Sequence, residues 1–271
     1  MIKSIIFPEN NNIKYYDSHY AFILNSAKFL SIPIIYRKID PIHQSRFRME
    51  INDKNIIIDF RDHTDIHPIY KEYDYYFKYH VIEGKHEKYK KLFSLGAISF
   101  LNWEQYFKLK KEIRYKCNND IILNNQRVFG NAKIRRPKVR KIIRKKYGKF
   151  LDTTLVPQID FWKKINNCLV SVCVPGARND MLDRGQWQYM AFGACTISPY
   201  IKTILAYNKK LIPNIHYIQC RDDYTDINDK IEWCKNNRKK CIKIGRNAQK
   251  LFLQTSTPEK LWKWIDQCLK K

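Results

Sequence analysis

Residues 170–198 read VSVCVPGARNDMLDRGQWQYMAFGACTIS, a β-run ending at Pro175 and Gly176, a polar loop carrying Arg178, Asp180 and Arg184, and a helix that passes through Gly193 into another β-run. A loop that leaves a parallel strand and opens a helix suits an anionic ligand, because free backbone N–H groups and the helix dipole both favour negative charge. The two arginines add planar, fork-shaped donors that match a diphosphate. On spacing alone, a solvated surface loop fits the same residues equally well. A second stretch, RVFGNAKIRRP at 127–137, repeats the logic. There a strand ending at Gly130 and Asn131, next to Arg135 and Arg136, could cradle a pyrophosphate, with Gly130 permitting close backbone approach.

The carboxylates that could move a proton lie earlier, in IIIDFRDHTDIHPIYKEYDYYFKYH at 56–80. Asp59 ends an apolar run and Asp62 falls in the loop just after it, where the active-site groups of parallel sheets gather. A carboxylate so placed can accept the proton of an attacking hydroxyl. Asp62 is the expected general base; Asp59, Asp65 and Asp74 are the reserves, since each could instead cap a helix or pair with a lysine. His63 and His67, four apart, have no cysteine or third histidine nearby and do not make a zinc site. No Asp-x-Asp triplet occurs anywhere in the chain. Two arginines and a helix dipole can balance the charge of a diphosphate, and no metal or cofactor is expected.

These groups need elements to hold them. Short apolar runs at 4–7, 32–37, 47–51, 55–60 and 75–81 read as strands, and 18–31 has helical spacing. The second half restarts with a strand at 126–130, a basic helix at about 137–146, a helix at 159–167, strands at 168–174 and 215–220, and helices from Asn228, Arg238 and Pro258. Ser256 with Glu259 reads as a capping box. Strand and helix in alternation predict an α/β fold with a largely parallel sheet in each half. A boundary in the polar stretch after residue 102 gives domains of 1–118 and 119–271.

The 271 residues carry 51 Lys plus Arg against 26 Asp plus Glu, a formal net charge of +25, with 44% hydrophobic and 14% aromatic residues. That is too apolar for disorder, and basic enough that a phosphate-bearing or polyanionic partner must be considered. The densest basic run is KIRRPKVRKIIRKKYGK at 133–149, which reads as a solvated helix face or as a polyanion contact. Abundant Lys, Asn, Ile and Tyr are what an AT-rich coding genome produces, such as that of a large DNA virus. The eight cysteines form no CxxC pair and fit neither a disulfide framework nor a zinc ribbon, so a reducing, cytoplasmic setting is expected. No signal peptide or 18-residue apolar run is present.

The stretch 184–193, R-x-x-W-Q-x-M-A-x-G after a strand and a Pro-Gly loop, resembles the donor-binding half of glycosyltransferases of the GT-B fold. The similarity is nearest to the exostosin-like enzymes and the protein O-glucosyl/xylosyltransferase (CAP10-like) group. PNIHYIQCRDDYTDINDKIEWCKNN at 213–237 is similar to a signature of the latter, and 56–80 looks like its acceptor-side segment. The resemblance implies two Rossmann-like domains facing each other across a cleft. It further implies inverting, metal-independent transfer of a sugar, xylose or glucose, from a UDP-sugar to a hydroxyl of a glycan or glycoprotein. Gly130, Asn131, Arg135, Gly176, Arg178, Asp180, Arg184 and Gln188 would bind the donor and Asp62 would serve as base. Matching places Gln188 at the ribose position and Asp180 at the sugar position, where the family carries glutamates. The competing expectation is a basic α/β nucleic-acid-binding protein without catalysis. No finger, helix-turn-helix or RNP-like motif accompanies the charge.

Overall fold

In a computed structural model the described residues are 2–9, 17–39, 46–61, 63–95 and 102–271. They form an α/β protein with eight α-helices. The chain divides into two compact units. The first comprises Met1–Tyr106, Thr203–Lys210 and Gln254–Lys271; the second comprises Phe107–Lys202 and Leu211–Leu253.

The first unit is built on a six-stranded sheet in the order β2-β1-β3-β4-β5-β7. Its strands are β1 (Ile5–Pro8), β2 (Ile34–Arg37), β3 (Arg46–Ile51), β4 (Lys54–Asp59), β5 (Tyr75–Lys78) and β7 (Leu92–Ser94). The pairs β1–β2, β4–β5 and β5–β7 are parallel, whereas β3 runs antiparallel to both of its neighbours. The reversal comes from the turn between β3 and β4. Asn52 and Asp53 stand at φ 48° and 61°, the left-handed pair that a two-residue type I′ hairpin requires. β6 (Val81–Ile82) pairs separately with β12 (Thr203–Ile204).

Helix α1 (Asp17–Phe29) buries Phe22, Ile23, Ser26 and Ala27, the apolar stripe its spacing predicts. Helix α8 (Pro258–Cys268) packs against α1, where the Trp262 indole donates to Ser26 Oγ at 3.0 Å. The α8 cap differs from expectation: Thr257, not Ser256, is the N-cap and accepts from Lys260 N, with Pro258 in the first turn. Ser256 lies against the Thr255 hydroxyl instead. Helix α2 (Trp103–Glu112) leads into the second unit.

The second unit holds a five-stranded sheet of β8 (Ile122–Leu123), β9 (Leu151–Asp152), β10 (Val170–Val172), β11 (Thr196–Ser198) and β13 (Ile218–Gln219). Every pairing is parallel and the order is β13-β11-β10-β8-β9. Numbered within the unit, that is 2-1-3-4-5, the open doubly wound arrangement whose ligand crevice lies at the carboxyl ends of the strands. Helices cover both faces. Val170, Val172, Cys195 and Ile197 pack with α3 (Ala132–Tyr147), α6 (Ile227–Asn236) and α7 (Arg238–Thr255). On the other face α4 (Gln158–Lys163) and α5 (Arg184–Ala191) bring Trp162 and Tyr189, and Gln186 of α5 bonds Thr196 of β11.

The strand expected at 126–130 does not form. β8 ends at Leu123, and the carbonyls beyond it are taken by guanidinium groups of α3. Arg140 donates to Asn124 O at 2.9 Å and to Gln126 O at 2.5 Å, and Arg136 donates to Arg127 O. Those carbonyls are satisfied by side chains of α3 rather than by a neighbouring strand. The basic helix correspondingly starts at Ala132, ahead of Pro137.

α7 meets the sheet by backbone contact. Gly193 has φ 77°, and a Cβ placed on Gly245 of α7 would stand 1.9 Å from Gly193 O. All eight cysteines are buried and free.

Candidate functional site

The site is a pocket of about 410 Å³ in the second unit, lined by Arg135, Ala177, Arg178, Asn179, Asp180, Tyr200, Lys202 and Asp222. Its residues come from the loops that follow β10, β11 and β13, together with the second turn of α3. The strand order therefore explains why groups remote in sequence meet: all three loops leave the same edge of one parallel sheet.

Arg135 fixes the β10 loop. Its guanidinium donates to Asn179 Oδ1 at 2.7 Å and to the carbonyls of Pro175, Gly176 and Ala177 at 3.0, 2.9 and 3.1 Å. Asn179 ties the neighbouring loop in, donating to Asp222 O at 2.8 Å and accepting from Tyr224 Oη at 3.2 Å. Arg178 forms a two-pronged pair with Asp180 at 2.9 and 2.8 Å. Burial acts to raise the Asp180 carboxyl, but the Arg178 fork, helped by Lys202, outweighs it and holds the group below the ordinary carboxylate range. Lys202 N also donates to Asp180 O at 2.8 Å. Three cations and two carboxylates thus share the pocket, and the Arg178 side chain is half exposed and within reach of a ligand.

Of the residues expected to bind a donor, Arg135, Arg178 and Asp180 come together here, and Gly176 lies in the loop that Arg135 grips. Gly130 and Asn131 precede α3, Gly130 at φ 55°, and do not line the pocket. Arg184 is exposed in the first turn of α5 and is likewise outside the lining. Gln188 faces α4, where its side-chain oxygen accepts from Trp162 Nε1 at 2.7 Å and Gln158 Nε2 at 3.2 Å. Asn179, Tyr200, Lys202 and Asp222 were not expected from the sequence. Their one signal is position, just past the ends of apolar runs.

Behind the pocket, Asp183 caps α5 by accepting from Gly185 N at 2.8 Å. It also takes Arg136 Nη2 at 2.9 Å and Gln126 Nε2 at 2.6 Å, while Gln126 accepts from Val174 N at 2.7 Å. This cross-brace joins the loops after β8 and β10, where the strand order reverses. Arg135→Lys keeps the charge of the pocket but cannot span four acceptors from one planar group. We expect faster amide hydrogen exchange across 175–179 in that variant; unchanged exchange would show that the loop holds itself.

On the acceptor-side segment the carboxylates differ sharply. Asp59 is fully buried and accepts from Arg46 Nε at 3.2 Å, Tyr76 Oη at 2.5 Å, Lys78 Nζ at 3.1 Å and Arg61 N at 3.0 Å. It is the anion of a buried ionic cluster. Asp74 accepts from Asn55 N at 2.8 Å and its own N–H donates to Asn55 O at 3.1 Å, so it ties the start of β4 to the start of β5. Asp65 is exposed and pairs with Arg61 at 3.1 Å. Asp62 lies outside the described residues. His67 accepts from Ile69 N and caps a short 3-10 turn. No group of three His, Cys, Asp or Glu side chains suited to a metal occurs among the described residues, and none of their helices is long and apolar enough to cross a membrane.

Fold and site together define an α/β chain with a polar, arginine-bearing pocket at the carboxyl edge of a doubly wound parallel sheet. No protein-family model matches the chain. Over 61 residues, 22% of its length, it is 31% identical to "Uncharacterized protein 179R" of Invertebrate iridescent virus 6, and the matched stretch spans 5% of that larger viral protein.

Proposed function

We propose that the chain is a glycosyltransferase that takes a sugar from a UDP-sugar, with the pocket of the second unit receiving the diphosphate. The observation that supports this best is the meeting of Arg135, Arg178 and Lys202 at the carboxyl edge of parallel strands, where a phosphate-bearing ligand gains most from fixed donors and cations. On this reading Arg178 exchanges part of its pairing with Asp180 for the ligand, and Lys202 adds a second charge. Arg135 acts through the loop it holds. The reaction is inverting and metal-independent, the acceptor is a glycan or glycoprotein hydroxyl, and Asp62 takes its proton, with the exposed Asp65 next in line.

Calorimetric titration with UDP is the test. Binding should be measurable at millimolar ligand, and Arg178→Ala should weaken it about tenfold, the worth of one charge-assisted bond. Loss on Arg184→Ala with none on Arg178→Ala would move the diphosphate to the start of α5. No binding of any nucleoside diphosphate would end the proposal. Asp62→Asn should abolish transfer while leaving UDP affinity nearly unchanged; retained transfer would pass the role to Asp65.

A further inference from the structure

The basic helix α3 carries nine cations and no acidic residue. Three of the nine have been accounted for, since Arg135, Arg136 and Arg140 turn inward onto the loops after β8 and β10. The others do not follow them. Ala132, Arg136, Val139, Ile143 and Tyr147 form the buried stripe. At 3.6 residues per turn the line directly opposite is Ile134, Lys138, Lys141 and Lys145, and all four are exposed.

An apolar tip adjoins this line. Ile134 is 72% exposed, and the turn that opens the helix carries Phe129 at 68% and Val128 at 45%. The adjoining loop after β9 adds Leu155 at 56%, one residue beyond Thr154, whose carbonyl accepts from Asn125 Nδ2 at 2.8 Å. Apolar side chains this large, gathered at one end of a lysine line, are costly to leave in water. A nucleic acid would meet the lysines and could stack a base on Phe129, but it covers a cluster of Val128, Ile134 and Leu155 less fully than a lipid boundary does. A lipid surface with anionic headgroups satisfies both, with charge attraction along the lysines and shallow insertion at the tip.

We infer that the outer face of α3 docks the protein on an anionic membrane surface, with Phe129 and Ile134 entering the headgroup boundary and Lys138, Lys141 and Lys145 lying over the headgroups. Arg135 adjoins Ile134 in sequence and lines the pocket. Docking therefore holds the pocket within about a helix diameter, roughly 10 Å, of the lipid.

Co-sedimentation of the full chain with vesicles tests this without reference to any sugar nucleotide, so its outcome is separate from that of the UDP titration. The protein should pellet with phosphatidylcholine vesicles containing phosphatidylserine and not with phosphatidylcholine alone, and binding should fall as salt rises. Replacing Phe129→Ser and Ile134→Ser together should weaken binding roughly tenfold or more, as should Lys138→Glu, Lys141→Glu and Lys145→Glu together, the latter with a flattened salt dependence. These side chains are exposed, and thermal unfolding checks that each variant is folded; Phe129→Ser alone serves if the double variant is not. Failure to pellet with anionic vesicles overturns the inference, and so does undiminished binding by the folded apolar variant. Binding to RNA that displaces the vesicles and is untouched by Phe129→Ser also overturns it, and would assign the face to nucleic acid.

Discussion

Gly245→Ala should unfold the second unit at temperatures where the parent chain is stable. The added methyl would sit 1.9 Å from Gly193 O, 2.8 Å from Gly193 C and 3.0 Å from Ala194 C. All three are backbone atoms, so no rotamer can move aside. Gly193 cannot retreat, because its φ of 77° sets the turn from α5 into β11, and Gln249 of α7 donates to Ala191 O across the same contact at 2.9 Å. Relief requires sliding α7 off the sheet. That would open the core where Cys241 and Ile244 pack and loosen Phe252 from Trp187, whose rings lie 5.1 Å apart. Overpacking a core costs typically about 1–3 kcal/mol when side chains can adjust, and a backbone clash should exceed about 3 kcal/mol. Chemical denaturation monitored by tryptophan fluorescence measures it. A loss below about 1 kcal/mol would mean that the helix and sheet are less closely joined than described.

Asp59→Asn should be comparably damaging to the first unit, for an electrostatic reason. Arg46 and Lys78 are as deeply buried as the carboxylate they flank, and Arg61 approaches its other oxygen at 3.6 Å. The substitution preserves shape and removes the one buried anion among these cations. Removing one partner of a buried ion pair costs about 3–5 kcal/mol because the remaining charge is left uncompensated. Burial already pushes the Lys78 ammonium below its ordinary range, against the pull of Asp59. Without that pull the folded protein holds the Lys78 proton still less tightly than the unfolded chain does. Stability of the variant should accordingly rise with pH across the interval between the depressed folded value and the ordinary lysine value of 10.5. Lys78→Met in the same background should recover part of the loss and flatten that pH dependence. A variant as stable as the parent at neutral pH would show that Asp59 is not the counter-ion of the cluster.

This second case also shows where a sequence stops being readable. Asp59 and Asp62 look alike in the chain, one carboxylate ending an apolar run and the other in the loop just after it. The partners that make Asp59 a buried hub, Arg46 and Tyr76, come from β3 and β5, and only strand register supplies them. Local signals served well elsewhere. The helical spacing of α1, the start of α6, the runs of β3 to β5 and the loop after β10 are all legible in the sequence. The loop at 126–130 reads as a strand because Val128 and Phe129 have strand-forming side chains, whereas the guanidinium groups that occupy the neighbouring carbonyls come from the helix that follows. The side-chain oxygen of Gln188 is met by Trp162 from another helix, a partner that local spacing does not announce. The pocket was half legible: Arg135, Arg178 and Asp180 stand in recognisable loops, whereas Lys202 and Asp222 join them only through the sheet order β13-β11-β10.

The interleaving of the two units sets an order on their completion during synthesis. The first unit takes its six-stranded sheet from the earlier half of the sequence but closes only when 254–271 arrive, since Trp262 bonds Ser26, Trp264 bonds Ser94 O at 2.7 Å and Leu269 O receives Tyr75 Oη at 3.0 Å. The second unit has all its residues once Leu253 is made. Its α/β sheet can therefore be finished while the earlier sheet still waits for its last helix. The part started first is the part sealed last, and until α8 emerges the face of α1 around Ser26 is left without Trp262 to cover it.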